Sequence, residues 1–110
     1  MSEIFQNVSN TNKIKTLELR ESCTLENFQL IINLFPQVEY LKTGMNRKEI
    51  HQIIRFLFAK TNHRTRRLLF LCISQIPKVC LRELNLLIKS ENLLNVYFIK
   101  YINGDLYLWW

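Results

Sequence analysis

The sequence predicts an α/β domain: a short solenoid of parallel strands with helices on one side, finished by a C-terminal β-hairpin cap. Three observations carry this. An L-x-x-L-x-L pattern recurs four times, a helical stretch with an apolar face follows each of the first three copies, and Asn103-Gly104 separates the last two alternating runs. A small doubly wound α/β sheet is the alternative that the same strand–helix alternation allows.

The first copy is Ile14, Leu17 and Leu19, and the second is Val38, Leu41 and Thr43. Leu68, Leu71 and Ile73 make the third, and Val96, Ile99 and Tyr101 the fourth. From Ile14 to Val38, to Leu68 and to Val96 the steps are 24, 30 and 28 residues. The third copy sits in the run Arg67–Ile73, which is short, almost wholly apolar and rich in branched and aromatic residues, as a buried strand is.

Taken in order, Ile4, Phe5 and Val8 predict a short helical tail before a polar turn. Ile14–Arg20 reads as the first strand, with Leu17 and Leu19 inward and Glu18 and Arg20 outward. Thr24 offers an N-cap oxygen, with Asn27 or Glu26 placed to complete the cap. Leu25, Phe28, Ile31, Ile32 and Phe35 share one face of the helix that follows. Leu30 and Leu34 fall on nearly the opposite side, which predicts a helix squeezed between neighbours. Pro36 stops it.

Val38–Met45 reads as the second strand, followed by a helix over about Arg47–Lys60 whose inner face is Ile50, Ile53, Ile54 and Leu57. A basic loop, Lys60 to Arg67, leads into the third strand, Leu68–Ile73. Pro77 suits a first helical position, and Cys80, Leu81, Leu84, Leu87 and Ile88 form the inner face of the third helix. Val96–Ile102 is the fourth strand. The Asn103-Gly104 turn then pairs Ile102 with Asp105, Tyr101 with Leu106, Ile99 with Leu108 and Phe98 with Trp109, so that Asp105–Trp110 closes the edge of the sheet.

Strands that return to one register through helical crossovers are parallel. Charge at Glu18, Arg20, Lys42 and Lys100 predicts that one sheet face stays open to water, which favours the solenoid over the doubly wound sheet. The Leu-x-Leu strands, the helices and the period of 24–30 residues resemble ribonuclease-inhibitor-like leucine-rich repeats. More narrowly, Cys23-Thr24-Leu25-Glu26, Leu34-Phe35-Pro36-Gln37-Val38-Glu39-Tyr40-Leu41 and the ending Asp105-Leu106-Tyr107-Leu108-Trp109-Trp110 resemble the C-terminal repeats of F-box and leucine-rich-repeat proteins. In that family an F-box docks an adaptor of a ubiquitin ligase and the repeats receive the substrate. The resemblance implies a substrate-binding repeat region, a fragment of a longer array. No F-box precedes the repeats in this sequence, so adaptor docking is not expected of it.

A solenoid binds on its concave strand face. The register predicts two outward rows there: Thr16, Tyr40, Phe70, Phe98, and beside it Glu18, Lys42, Cys72, Lys100. The hairpin adds Trp109 beside Phe98 and Tyr107 beside Lys100. Tyr40, Lys42, Phe70, Phe98, Lys100 and Trp109 are therefore the candidate protein-binding residues, since aromatic rings flanked by cations suit a protein partner. The competing reading is that these rings only pack on one another across strands.

Composition bounds the rest. The 110 residues are expected to form a single domain, 48 % hydrophobic, with two glycines and two prolines. Fifteen Lys and Arg against nine Asp and Glu leave a net charge of +6. Lys60, His63, Arg64, Arg66 and Arg67 form the one basic cluster, which makes a weak nucleic-acid or anionic-surface binder the second reading. A truncated product without activity of its own is the third. Cys23, Cys72 and Cys80 are odd in number and lack a CxxC spacing, so a reducing compartment, cytoplasmic or nuclear, is expected. No apolar run reaches the roughly 18 residues that span a bilayer. No zinc spacing, no phosphate-binding glycine loop and no nucleophile–base motif is found, so neither a metal nor a cofactor nor catalysis is expected.

Overall fold

The computed structural model of this chain describes residues 13–59 and 67–110. The expected N-terminal tail (Ile4, Phe5, Val8) and the basic residues Lys60, His63, Arg64 and Arg66 lie outside that range. The described elements are β1 (Thr16–Cys23), α1 (Leu25–Leu34), β2 (Tyr40–Met45), α2 (Ile50–Phe58), β3 (Phe70–Ile73), α3 (Val79–Ser90), β4 (Phe98–Ile102) and β5 (Asp105–Trp109). They make one five-stranded mixed sheet and three α-helices. The sheet order is β1-β2-β3-β5-β4. β1, β2 and β3 are parallel, while β5 runs antiparallel to both β3 and β4.

The hairpin register is the one expected, from Ile102 opposite Asp105 to Phe98 opposite Trp109. Asn103 and Gly104 have φ of 53° and 87°, the positive values that a two-residue type I′ turn requires at both central positions. The placement of the hairpin corrects the repeat reading. The fourth strand was expected beside the third, with Asp105–Trp110 outside it. Instead β5 pairs with β3, and β4 becomes the edge. The reason lies in the two strands' side chains. Leu106 and Leu108 are fully buried on one face of β5, and Tyr107 and Trp109 pack among rings on the other. A strand apolar on both faces gains most from neighbours on both sides. β4 carries Lys100 and tolerates water.

The hairpin is also tied down locally. The Gln75 N–H donates to Asp105 Oδ1 at 3.0 Å, the Ile76 N–H to the Gly104 carbonyl at 2.9 Å, and the Tyr101 hydroxyl to the Ile76 carbonyl at 2.7 Å. These bonds join the turn to the β3–α3 loop.

β1 runs three residues past its expected end. Its register with β2 slips between Glu18, opposite Lys42, and Ser22, opposite Gly44. Four steps on β1 face two on β2, a bulge that lays Glu21 and Ser22 over Gly44. A Cβ on Gly44 would lie 3.2 Å from the Glu21 carbonyl oxygen and from Ser22 Cα, so a side chain here would push the β1 backbone outward by a few tenths of an ångström, which glycine avoids. Beside it, fully buried Thr43 has its hydroxyl within bonding distance of the Glu21 and Gly44 carbonyls and of Cys23 Sγ.

α1 opens with the expected cap. Thr24 Oγ1 accepts from the Asn27 N–H at 3.2 Å, and Asn27 Oδ1 accepts from the Thr24 N–H at 3.1 Å. α2 begins later than expected, after a 3₁₀ turn over Arg47–Glu49. Pro77 precedes α3 by two residues instead of opening it, and its carbonyl accepts from the Cys80 N–H. α3 ends in a left-handed Asn92, φ 52°, with the Leu93 N–H bonded to the Ile88 carbonyl.

Phe28, Ile31 and Ile32 of α1, Ile53, Ile54 and Leu57 of α2, and Leu84 and Ile88 of α3 join Leu41, Leu71, Ile73, Leu106 and Leu108 of the sheet in one core. Full burial of each such side chain is worth about 1.5–3 kcal/mol. All three helices thus share one sheet face. Two expectations fail at the margins. Leu30 is exposed, so the second apolar side of α1 is not wedged against a neighbour among the described residues. Val96 is 74 % exposed and precedes β4, so the fourth copy of the repeat lacks its first apolar anchor.

Candidate binding face

The face turned away from the helices carries two rows of side chains. The first runs Thr16, Tyr40, Phe70, Trp109, Phe98 across all five strands, and the second Glu18, Lys42, Cys72, Tyr107, Lys100. Alternation along each strand puts these residues on one side and the core leucines on the other. Among the described residues no helix covers them.

The first row is a continuous stack. Tyr40 and Phe70 have ring centroids 4.9 Å apart with planes 18° from parallel. Phe70 and Trp109 follow at 5.7 Å and 9°, and Trp109 and Phe98 at 5.5 Å and 17°. Tyr107 meets Phe70 edge-on at 6.1 Å, joining the rows. Cross-strand ring pairs of this kind contribute roughly 0.5–1.5 kcal/mol each. Phe98 ends the row, with Trp109 its one ring neighbour among the described residues, and it is 56 % exposed.

All six expected residues lie on this face, but not in the expected order. Tyr40, Phe70, Phe98 and Trp109 form one row, with Trp109 between Phe70 and Phe98. Lys42 and Lys100 are not near neighbours; Cys72 and Tyr107 stand between them. Tyr107, expected only beside Lys100, sits between Cys72 and Lys100 at the centre of the face. Its signal was present in the sequence: Asp105-Leu106-Tyr107-Leu108-Trp109 is leucine on one face and aromatic on the other, the pattern of an interior strand.

Cys72 is fully buried although it belongs to the open face. Burial pushes its thiol up, the Asp105 carboxylate adds to this, and Lys42 opposes it. The group is a protonated thiol at neutral pH, not a thiolate nucleophile. Burial likewise raises the Tyr40 hydroxyl. Lys42 is held above its ordinary range, first by the Cys72 thiolate that forms only in alkali and then by the Asp105 and Glu18 carboxylates, and is an ammonium at neutral pH. Glu18 in the second row and Asp105 on the same side of β5 stand near Lys42 and Lys100, so the charge beside the rings is of both signs.

Cys23, Cys72 and Cys80 are all buried. Among the described residues no three His, Cys, Asp or Glu side chains are grouped to hold a metal ion, and no helix is long and apolar enough to cross a membrane. Of the basic cluster only Arg67 is described, and it is exposed. Comparison of the chain with protein-family models, curated proteins and solved structures finds no match in any of the three.

Proposed function

We propose that the open face is a protein-binding surface and that the chain is a non-catalytic interaction module. In this reading the parallel strands are a short leucine-rich-repeat-like array, and the module is the substrate-binding repeat region of an F-box-type ubiquitin ligase receptor. The observation that carries the binding role is the uncovered row Tyr40–Phe70–Trp109–Phe98, large rings held in fixed positions on a side of the sheet that the core does not use. Rings fixed by stacking lose little freedom on binding, which is why they dominate protein interfaces. The balance of charge beside them suits a polypeptide of mixed sequence better than a polyanion.

The test is selection of linear peptides on the immobilised domain, followed by the Tyr40→Ser, Phe70→Ser double variant. Peptides should bind the wild type, shift the backbone amides of β2, β3, β5 and β4, and lose the variant, while the variant still unfolds cooperatively. A variant that keeps binding, or that loses cooperative unfolding, assigns the rings to packing alone.

A further inference from the structure

The two edges of the sheet are built differently. β1 is irregular and charged, with Glu18, Arg20 and Glu21 around its bulge. Such features keep an edge from pairing with another chain. β4 is short but regular, and Phe98 and Ile102 on it and Val96 just before it are among the most exposed large apolar side chains described. Lys100 is its one charge.

The free hydrogen-bonding groups of β4 follow from the bonds already made. The Trp110 N–H donates to the Leu69 carbonyl at 3.4 Å, so β5 bonds to β3 through Leu106 and Leu108 as well. In an antiparallel ladder the alternate residues bond the other way. Asp105, Tyr107 and Trp109 therefore bond to Ile102, Lys100 and Phe98. The N–H and C=O groups of Ile99 and Tyr101 are left pointing off the edge.

We propose that β4 pairs antiparallel with β4 of a second copy of this chain, with Ile99 opposite Ile99 on the two-fold axis. In that register Tyr101 bonds to Tyr97 of the other copy. On the open face Phe98 meets Lys100, and Val96, at the bend just before β4, comes beside Ile102 of the other copy, each pair occurring twice. The ammonium of each Lys100 then covers the free ring face of the other copy's Phe98, a cation–π contact. The register shifted by two, with Lys100 on the axis, sets two ammonium groups against each other. Registers shifted by one set the open face of one copy against the helical face of the other. The register shifted by two the other way, with Phe98 on the axis, sets each Lys100 against Val96, so the first register alone gives each ammonium a ring. Both open faces then lie on the same side of a ten-stranded sheet. The pairing does not depend on what those faces bind.

Sedimentation equilibrium from low micromolar to millimolar protein tests this. Wild type is a reversible monomer–dimer. Val96→Glu alone and Ile102→Lys alone each weaken the dimer by roughly tenfold or more, because each change acts twice across the axis. Both sites are exposed, so the monomer's thermal midpoint should hardly move. The two substitutions combined place opposite charges in register and restore association at low salt. A monomer at every concentration overturns the proposal. So does a dimer indifferent to either single change, or one that the combined variant does not recover.

Discussion

Phe70 and Trp109 lie side by side on the open face, centroids 5.7 Å apart and ring planes 9° from parallel, on strands of opposite direction. This contact joins the parallel half of the sheet to the hairpin. Phe70 also touches Tyr40 and Tyr107, whereas Phe98 touches Trp109 alone among the rings of the described residues. Phe70→Ala should therefore cost about 1–3 kcal/mol and Phe98→Ala under about 1 kcal/mol. Urea unfolding of the two variants measures this, and equal losses would remove the stack as a structural unit.

The cap of α1 is reciprocal, Thr24 to Asn27 and back. Thr24→Ala should cost about 1 kcal/mol. Adding Asn27→Ala should cost less than the sum of the two single changes, since both break one motif. Additive losses in a double-mutant cycle would show the two bonds to be independent.

Much of this was legible in the sequence where the signal is local. Thr24 with Asn27, and Asn103 with Gly104, act over a few residues, and their geometry follows from the residue types alone. The helix faces Ile50–Ile53–Ile54–Leu57 and Cys80–Leu84–Leu87–Ile88 were equally plain. Strand order was not. A two-residue turn dictates which residues of a hairpin pair, but not which of its strands meets β3. That choice depends on burial summed over both faces of β5 against one face of β4, and the repeat pattern in Val96, Ile99 and Tyr101 pointed the other way. The bulge of β1 was hidden too, because it depends on Gly44, a neighbour on another strand.

Cys72 illustrates what an open face can still bury. Its thiol is raised by burial and stands opposite Tyr107 and Lys42. In native protein at neutral pH, Cys72 should react with a thiol reagent only slowly, at a rate set by local opening. Tyr107→Ala should speed labelling of Cys72 selectively and leave Cys80, on the buried face of α3, unchanged. Mass-spectrometric mapping of the modified cysteine reads this; equal acceleration at Cys80 would mean that the substitution loosens the whole fold.

Arg55 on α2 holds Glu91 at the end of α3 through both carboxylate oxygens, with bonds of 2.7–3.0 Å. The hydrogen bond to Arg55 is the main reason that the Glu91 carboxyl lies below its ordinary range. A depressed folded-state pKa adds stability above the unfolded carboxyl's pKa, and that stability is lost as pH falls through the folded value. Glu91→Gln should therefore lower the thermal midpoint slightly at neutral pH and low salt, with the difference closing in acid and in high salt. A gap that persists at a pH below the folded value would assign the effect to packing.

The order β3-β5-β4 makes the first row of the open face one unbroken run of rings, and side-chain NOEs report it directly. The account predicts ring contacts from Phe70 to Trp109 and from Trp109 to Phe98, and none from Phe70 to Phe98. A direct Phe70–Phe98 contact, or NOEs from Tyr40 and Phe70 to side chains of α1 or α2, would contradict it.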